Sequence, residues 1–244
     1  MPERMTVQQV KEQERLKSGT AWTRNEQLDK DGYFVIKDLW DPEELYHPLP
    51  NMRGQMTYFD NDPTNFQHIA EESQVTGSLA RYWHPQYRKI HSGIRKKLEK
   101  VIGRKLYNTY YYDRYYFAGQ QLELHADRDA CEISVSVHIT NNLPDDLKDW
   151  PFMIKTPDTY VDEKKTQILV PGEERALVLN PGDGVIYKGC ERPHWRDPML
   201  TPRVRKRDKW LRRSQPEYYY HQIFFHYVLQ DGQRAHCAGD KGKG

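Results

Sequence analysis

The stretch Leu177-Val178-Leu179-Asn180-Pro181-Gly182-Asp183-Gly184-Val185-Ile186-Tyr187 holds two short apolar runs separated by a cluster of turn-forming residues. Proline fixes φ and glycine admits the left-handed region, so such a cluster between apolar runs predicts two strands joined as a hairpin. Runs of the same kind lie on either side of it, at 106–117, 121–126, 131–140, 151–156, 166–170, 175–179, 184–188 and 220–229. They are short and rich in β-branched and aromatic residues, with turn residues between them. Eight strands in succession with no helical pattern between them predict a mainly β (α+β) chain built as a sandwich, jelly roll or barrel.

Upstream the pattern differs. Residues 1–31 are charged, with a weak helical stripe at Val7, Val10 and Leu16, which predicts a peripheral, frayed helix. Gly32–Ile36 reads as a strand, and Asp41-Pro42-Glu43-Glu44-Leu45 as a helix start with an N-cap, a proline at the first helical position and acidic residues in the first turn. Residues 48–68 have no period and read as an irregular loop, whereas Ile90, Ile94, Leu98 and Val101 predict a helix over 86–102. The dense basic run Arg203–Arg213, with Trp210 inside it, reads either as a solvated connection or as a lid or substrate-binding insert. Ala238–Gly244 reads as a disordered tail.

At 244 residues with 37% hydrophobic and 12% aromatic content, the chain can bury one core, and a single domain is the expectation. The formal net charge of +2 excludes a general attraction to nucleic acid or anionic membrane. Cys131, Cys190 and Cys237 have no paired spacing, and no apolar run follows Met1-Pro2-Glu3-Arg4, so a reducing cytoplasmic setting is expected. No stretch approaches the roughly 20 apolar residues that span a bilayer.

Within Leu122-Glu123-Leu124-His125-Ala126-Asp127, side chains two apart share a face of a strand, so His125 and Asp127 point the same way. That spacing alone also describes an ordinary surface pair. His194, which follows the quoted turn region, adds a third donor from a later strand. Two histidines and one carboxylate on one side of a metal form the facial triad of non-haem iron(II) oxygenases, which leaves positions open for a cosubstrate and dioxygen.

The run Tyr116-Phe117-Ala118-Gly119-Gln120-Gln121-Leu122-Glu123-Leu124-His125-Ala126-Asp127, the block from Val178 to His194 and the segment Leu28–Ile36 together resemble the prolyl 4-hydroxylase-like 2-oxoglutarate/iron(II) dioxygenases over roughly residues 28–230. The resemblance implies a double-stranded β-helix, or jelly roll, of the cupin-like type. It also implies one oxygenase domain over 1–244, with a peripheral segment (1–27), supporting strand and helices (28–105), the β-helix core (106–230) and a tail (231–244). The implied catalytic and metal residues are His125, Asp127 and His194, and the implied cofactors are Fe(II), 2-oxoglutarate and O2, with ascorbate as a reductant. The reaction would release succinate and carbon dioxide and hydroxylate an unactivated C–H bond of a small molecule, amino acid or prolyl peptide. A carboxylate at Asp127, where halogenating relatives carry a small residue, argues for hydroxylation.

Members of this family carry a basic residue at the start of the last barrel strand, which receives the distal carboxylate of 2-oxoglutarate. Here that strand is read as Tyr220–Val228 and begins with neither Arg nor Lys. Arg196, Arg203 and Lys155 remain as candidates, with Arg196 preferred, and Tyr116 is expected to neighbour the cosubstrate. The tyrosines at 107, 110–112, 115–116 and 218–220 read as strand formers with half-buried rings or as an aromatic platform, and His138 and His226 as interior or surface histidines. Two rival functions stay open: a cupin-like metal protein without 2-oxoglutarate chemistry, and a nucleic-acid-binding module that uses 203–213.

Overall fold

The computed structural model describes residues 22–46, 66–68, 74–163, 166–202 and 218–240. The stripe at 7–16, most of the expected 48–68 loop, the basic segment with Arg203, and the last four residues lie outside them.

Helix α1 (Glu26–Asp31) starts where Asn25 accepts a hydrogen bond from the Leu28 amide, and strand β1 (Tyr33–Ile36) follows. Asp41 caps α2 (Pro42–Leu45) with proline in its first turn, as expected. Two short strands that the sequence did not announce, β2 (Phe66–His68) and β3 (Leu79–Tyr82), pair with each other. Helix α3 (Tyr87–Ile102) buries Ile90, Ile94 and Leu98, but the stripe continues through Ile102 while Val101 faces solvent. The step from Leu98 to Ile102 keeps the apolar row in line, which a step of three would have rotated outward.

The remaining strands are β4 (Leu106–Phe117), β5 (Leu122–His125), β6 (Ile133–Asn141), β7 (Phe152–Lys155), β8 (Thr159–Glu163), β9 (Thr166–Val170), β10 (Glu174–Leu177), β11 (Gly184–Tyr187), β12 (His194–Arg196) and β13 (Tyr219–Leu229). They form a seven-stranded sheet ordered β1-β11-β6-β13-β4-β3-β2, a four-stranded sheet ordered β10-β7-β12-β5, and a separate β8–β9 ribbon. All pairings are antiparallel. From β4 onward the chain alternates between the two large sheets except at β7 and β10, which flank the ribbon and pair with each other in the smaller sheet, and this is the winding of a double-stranded β-helix.

This winding corrects the expected hairpin at 177–187. β10 pairs with β7 and β11 with β6 and β1, so the turn carries the chain from one sheet to the other. Gly182 sits there at φ +88, where a side chain is strained, and its amide reaches the His138 carbonyl at 2.8 Å. The buried Asp183 carboxylate ties the turn down, accepting from the Asn180 and Asp38 amides and from Lys37.

Alternation along the strands assigns the two faces of the large sheet. Val135, Val137 and Ile139 of β6 and Ile223, Phe225, Tyr227 and Leu229 of β13 pack with the apolar stripe of α3 in one core. The opposite face looks into the space between the sheets and carries polar groups: Ser134, Ser136 and His138 of β6 and Gln222 and His226 of β13, all buried. A polar interior covered by a helix-backed apolar layer is what a binding cavity requires, since each buried polar atom otherwise costs free energy. Among the described residues no helix is long and apolar enough to cross a membrane.

Candidate metal centre

β5 and β12 lie side by side, and their register places His125 directly opposite His194, with ring centroids 4.3 Å apart. Asp127 follows two residues after His125, its amide held by the Gly189 carbonyl at 2.9 Å. Its Oδ1 atom lies 3.6 Å from His125 Nε2 and 3.6 Å from His194 Nε2. The three expected residues therefore form one cluster, with one donor atom from each within 4.8 Å of the others.

The ring nitrogens facing away from the cluster settle the tautomers. His125 Nδ1 meets the Glu123 carbonyl at 2.7 Å and His194 Nδ1 meets the Arg192 carbonyl at 3.0 Å. A carbonyl only accepts, so both Nδ1 atoms carry hydrogen and, in the neutral rings, both Nε2 lone pairs point at Asp127 Oδ1. Three acceptors aimed at one another with no donor between them are mutually repulsive unless a cation or proton lies among them.

The charges match. Burial alone would raise the Asp127 pKa, but the adjacent imidazoles of His194, His125 and His226 hold it well below the ordinary carboxylate range. Burial lowers the pKa of His194, outweighing the attraction of Asp127. For His125 the burial penalty is overcome by the neighbouring Asp127 carboxylate and by the Glu123 carbonyl, and its pKa is raised.

Arg196 follows His194 on the same face of β12, and both side chains are buried. Its guanidinium lies 4.5 Å from the Trp150 ring, 4.7 Å from Tyr220 and 5.8 Å from Phe152, and Phe152 in turn stacks on His194 at 5.5 Å. Nη1 donates to the Trp150 carbonyl at 2.7 Å, while Nε and Nη2 are buried with no hydrogen-bond partner. A shielded guanidinium with two open donors is a receptor for a carboxylate. Tyr220 is the second residue of β13, so the Arg196 guanidinium of β12 reaches the start of the last strand.

The other candidates separate. Lys155 alternates with the buried Phe152 and Ile154 on β7, is partly exposed on the other face, and pairs with Asp158 at 3.5 Å. Tyr116 is buried edge-on to Trp150 at 5.1 Å, with its hydroxyl accepting from Arg114. Tyr110 and Tyr112 share this interior, whereas Tyr111 and Tyr115 lie on the other face; these four, Tyr116 and Tyr220 are more deeply buried than expected, while Tyr218 and Tyr219 are half-buried and Tyr107 is exposed. His138 is satisfied, with Nδ1 donating to the Leu179 carbonyl and Nε2 accepting from Asn141. Cys131, Cys190 and Cys237 form no disulfide with one another. Sequence reasoning missed Ser134 and Gly189, whose atoms surround Asp127; the polar Ser-x-Ser-x-His alternation on β6 was the available signal.

No protein-family model matches this chain, and no curated protein matches it in sequence. Solved structures do. A prolyl-4-hydroxylase from Pseudomonas putida is 14% identical, with 82% of this chain and 95% of that one covered at a TM-score of 0.50. An oxidoreductase of the 2OG-Fe(II) oxygenase family from Burkholderia pseudomallei is 10% identical, covering 89% and 92% at 0.52. The non-haem alpha-ketoglutarate-dependent epimerase SnoN from nogalamycin biosynthesis is 12% identical, covering 89% and 86% at 0.52. The fold is that of the 2-oxoglutarate/iron(II) oxygenases. Within this fold the β5–β12 pair brings the His-x-Asp run and His194 together.

Buried neutral imidazoles also make this oxygenase fold acid-sensitive. Burial lowers the pKa of His91 to about 3 and of His138 to about 4. Both are depressed below the unfolded value, so the unfolded chain binds more protons between pH 6.5 and 4, and stability present above pH 6.5 is lost as pH falls through that window. Urea midpoints at pH 7, 6, 5 and 4 should fall progressively, and His91→Gln should lower the slope by about one proton. An unchanged slope would show that His91 titrates normally.

Proposed function

We infer that this chain is an iron(II)- and 2-oxoglutarate-dependent oxygenase in which His125, Asp127 and His194 hold the metal and Arg196 receives the distal carboxylate of the cosubstrate. The observation that carries this reading is the convergence of two Nε2 lone pairs and one carboxylate oxygen on a single point, in a barrel interior that also holds a guanidinium with open donors. Two imidazoles and a carboxylate suit a first-row divalent ion and leave room for a chelating cosubstrate. Bound iron with 2-oxoglutarate and O2 supplies the oxidising power, with succinate and carbon dioxide as by-products.

The chain's own residues have definable tasks. The Glu123 and Arg192 carbonyls hold both histidines in the ligating tautomer, and ionised Asp127 supplies negative charge. Arg196 orients 2-oxoglutarate through its far end, and Trp150, Phe152 and Tyr220 screen that ion pair from water, which strengthens it. With Asp127 filling its position, the favoured outcome is hydroxylation of a C–H bond in a small molecule, amino acid or prolyl peptide. The structural similarity to a prolyl-4-hydroxylase supports that reading, and the similarity to an epimerase shows that other outcomes occur on this fold.

The test is succinate formation by the purified protein with Fe(II), 2-oxoglutarate and air, measured against His125→Ala. Iron-dependent succinate above that variant's background is expected. Equal turnover in both proteins would reject the reading, and no turnover with retained metal binding would favour a cupin-like metal protein.

A further inference from the structure

The two oxygens of the Asp127 carboxylate have different surroundings. Oδ1 faces the two histidines, while Oδ2 accepts a hydrogen bond from Ser134 Oγ at 2.8 Å. Ser134, buried on β6, lies in turn 3.1 Å from Nδ1 of His226, buried on the neighbouring strand β13. Serine has one hydroxyl proton, and an ionised carboxylate only accepts. The Asp127 carboxylate at 2.8 Å is the nearer acceptor for that proton and the Cys131 carbonyl at 3.2 Å the other; neither can donate, so His226 must carry hydrogen on Nδ1 and donate it to Ser134. The His226 ring is itself pinned, stacked on Tyr110 with centroids 4.5 Å apart.

Gly189 gives an independent sign that this contact is built. A Cβ at 189 would lie 2.4 Å from Ser134 Oγ and 2.5 Å from Asp127 Oδ2, closer than any side chain tolerates. Its φ is not in the left-handed region, so glycine is needed there for space and not for backbone conformation. Cys131, the other sulfur or nitrogen donor near Asp127, is engaged with the Tyr110 hydroxyl at 3.2 Å.

We propose that Ser134 and His226 are positioning residues that hold Asp127 so that Oδ1 alone is presented between His125 and His194, with Gly189 leaving the room they need. The proposal rests on the metal-site reading above. Holding one carboxylate oxygen in a hydrogen bond fixes the rotation of the group before a cation arrives, so the ordering entropy is not lost on binding.

The experiment is Mn(II) titration of the full-length protein without cosubstrate, with free ion read by its electron paramagnetic resonance signal and folding checked by circular dichroism. Ser134→Ala and Gly189→Ala should each bind Mn(II) about 10- to 100-fold more weakly than the unmodified chain, the range found for outer-shell partners of metal ligands. His226→Asn keeps a donor at the Nδ1 position and should stay within about threefold, whereas His226→Leu fills the ring's space without a donor and should lose about tenfold. A merely structural role would not separate these two. If Ser134→Ala and His226→Leu bind as tightly as the unmodified protein, the relay is overturned and the metal reading stands. If the unmodified protein does not bind Mn(II), or His125→Ala binds it equally well, the metal reading falls and the relay with it. Should Ser134→Ala fail to fold, the Asn and Leu variants of His226 decide.

Discussion

His194→Ala is expected to abolish iron-dependent succinate formation, on the order of 10³-fold or more, since a direct ligand contributes more than the 10- to 100-fold of an outer-shell partner. His194 is the most enclosed member of the cluster, buried between Phe152 and Tyr187 and fixed by the Arg192 carbonyl. Its removal leaves two donors on neighbouring residues of a single segment, His125 and Asp127, which define no facial geometry. The apo protein should lose only the packing of the ring. His194 Nε2 makes no hydrogen bond to Asp127, because 3.6 Å is beyond hydrogen-bond range. The stability lost should therefore be that of a truncated ring, about 2–3 kcal/mol, read as a lower urea midpoint in metal-free buffer. Added Mn(II) should raise the midpoint of the unmodified protein and leave that of the variant unmoved, because only a folded state that binds the ion is stabilised by it. A variant that keeps both the Mn(II)-dependent shift and turnover would remove His194 from the site.

The strands of the barrel were legible because each alternates strongly and ends in turn residues. Runs 106–117, 131–140 and 220–229 correspond to β4, β6 and β13, the central strands of the large sheet. What the sequence hid has physical reasons. β12 is only three residues long and is a strand because β5 and β7 flank it on both sides, which no local pattern announces. β8 depends on its partner β9 in the same way. The step of Pro181-Gly182-Asp183-Gly184 from one sheet to the other is invisible locally, since a hairpin and a sheet-crossing turn use the same residues. In the site, His125, Asp127 and His194 could be singled out because imidazole and carboxylate are rare enough to count. The pairing of Ser134 with His226 could not, since it depends on which of two neighbouring strands faces which, a register known only after folding.

Arg196→Met tests the second assignment, and it should separate function from stability. A guanidinium buried with two unpaired donors is costly, and its bond to the Trp150 carbonyl, the Tyr220 hydroxyl beside it and the surrounding rings offset only part of that cost. Replacing it by an apolar side chain of similar length should leave the cosubstrate-free protein as stable as before, or more so by about 1–3 kcal/mol. The Michaelis constant for 2-oxoglutarate should rise about 100-fold, which corresponds to the roughly 3 kcal/mol of a charge-assisted carboxylate pair. At saturating cosubstrate the turnover number should change much less, because the interaction is made equally before and during reaction. Arg196→Lys keeps the charge but not the fork, and is expected to lie between the two, about tenfold above the unmodified constant. Lys155→Ala and Arg203→Ala should leave the constant near its original value, the first because its side chain faces away from the cluster. The alternative, that Arg196 is an ordinary structural residue of the interior, predicts the reverse pair of results: an Arg196→Met protein that is several kcal/mol less stable and binds 2-oxoglutarate unchanged. Residues kept at the expense of stability are those whose partners arrive from solution. A buried Nε and Nη2 left open beside a converging set of metal donors fit that description, and measuring both quantities on one variant is what distinguishes the two accounts.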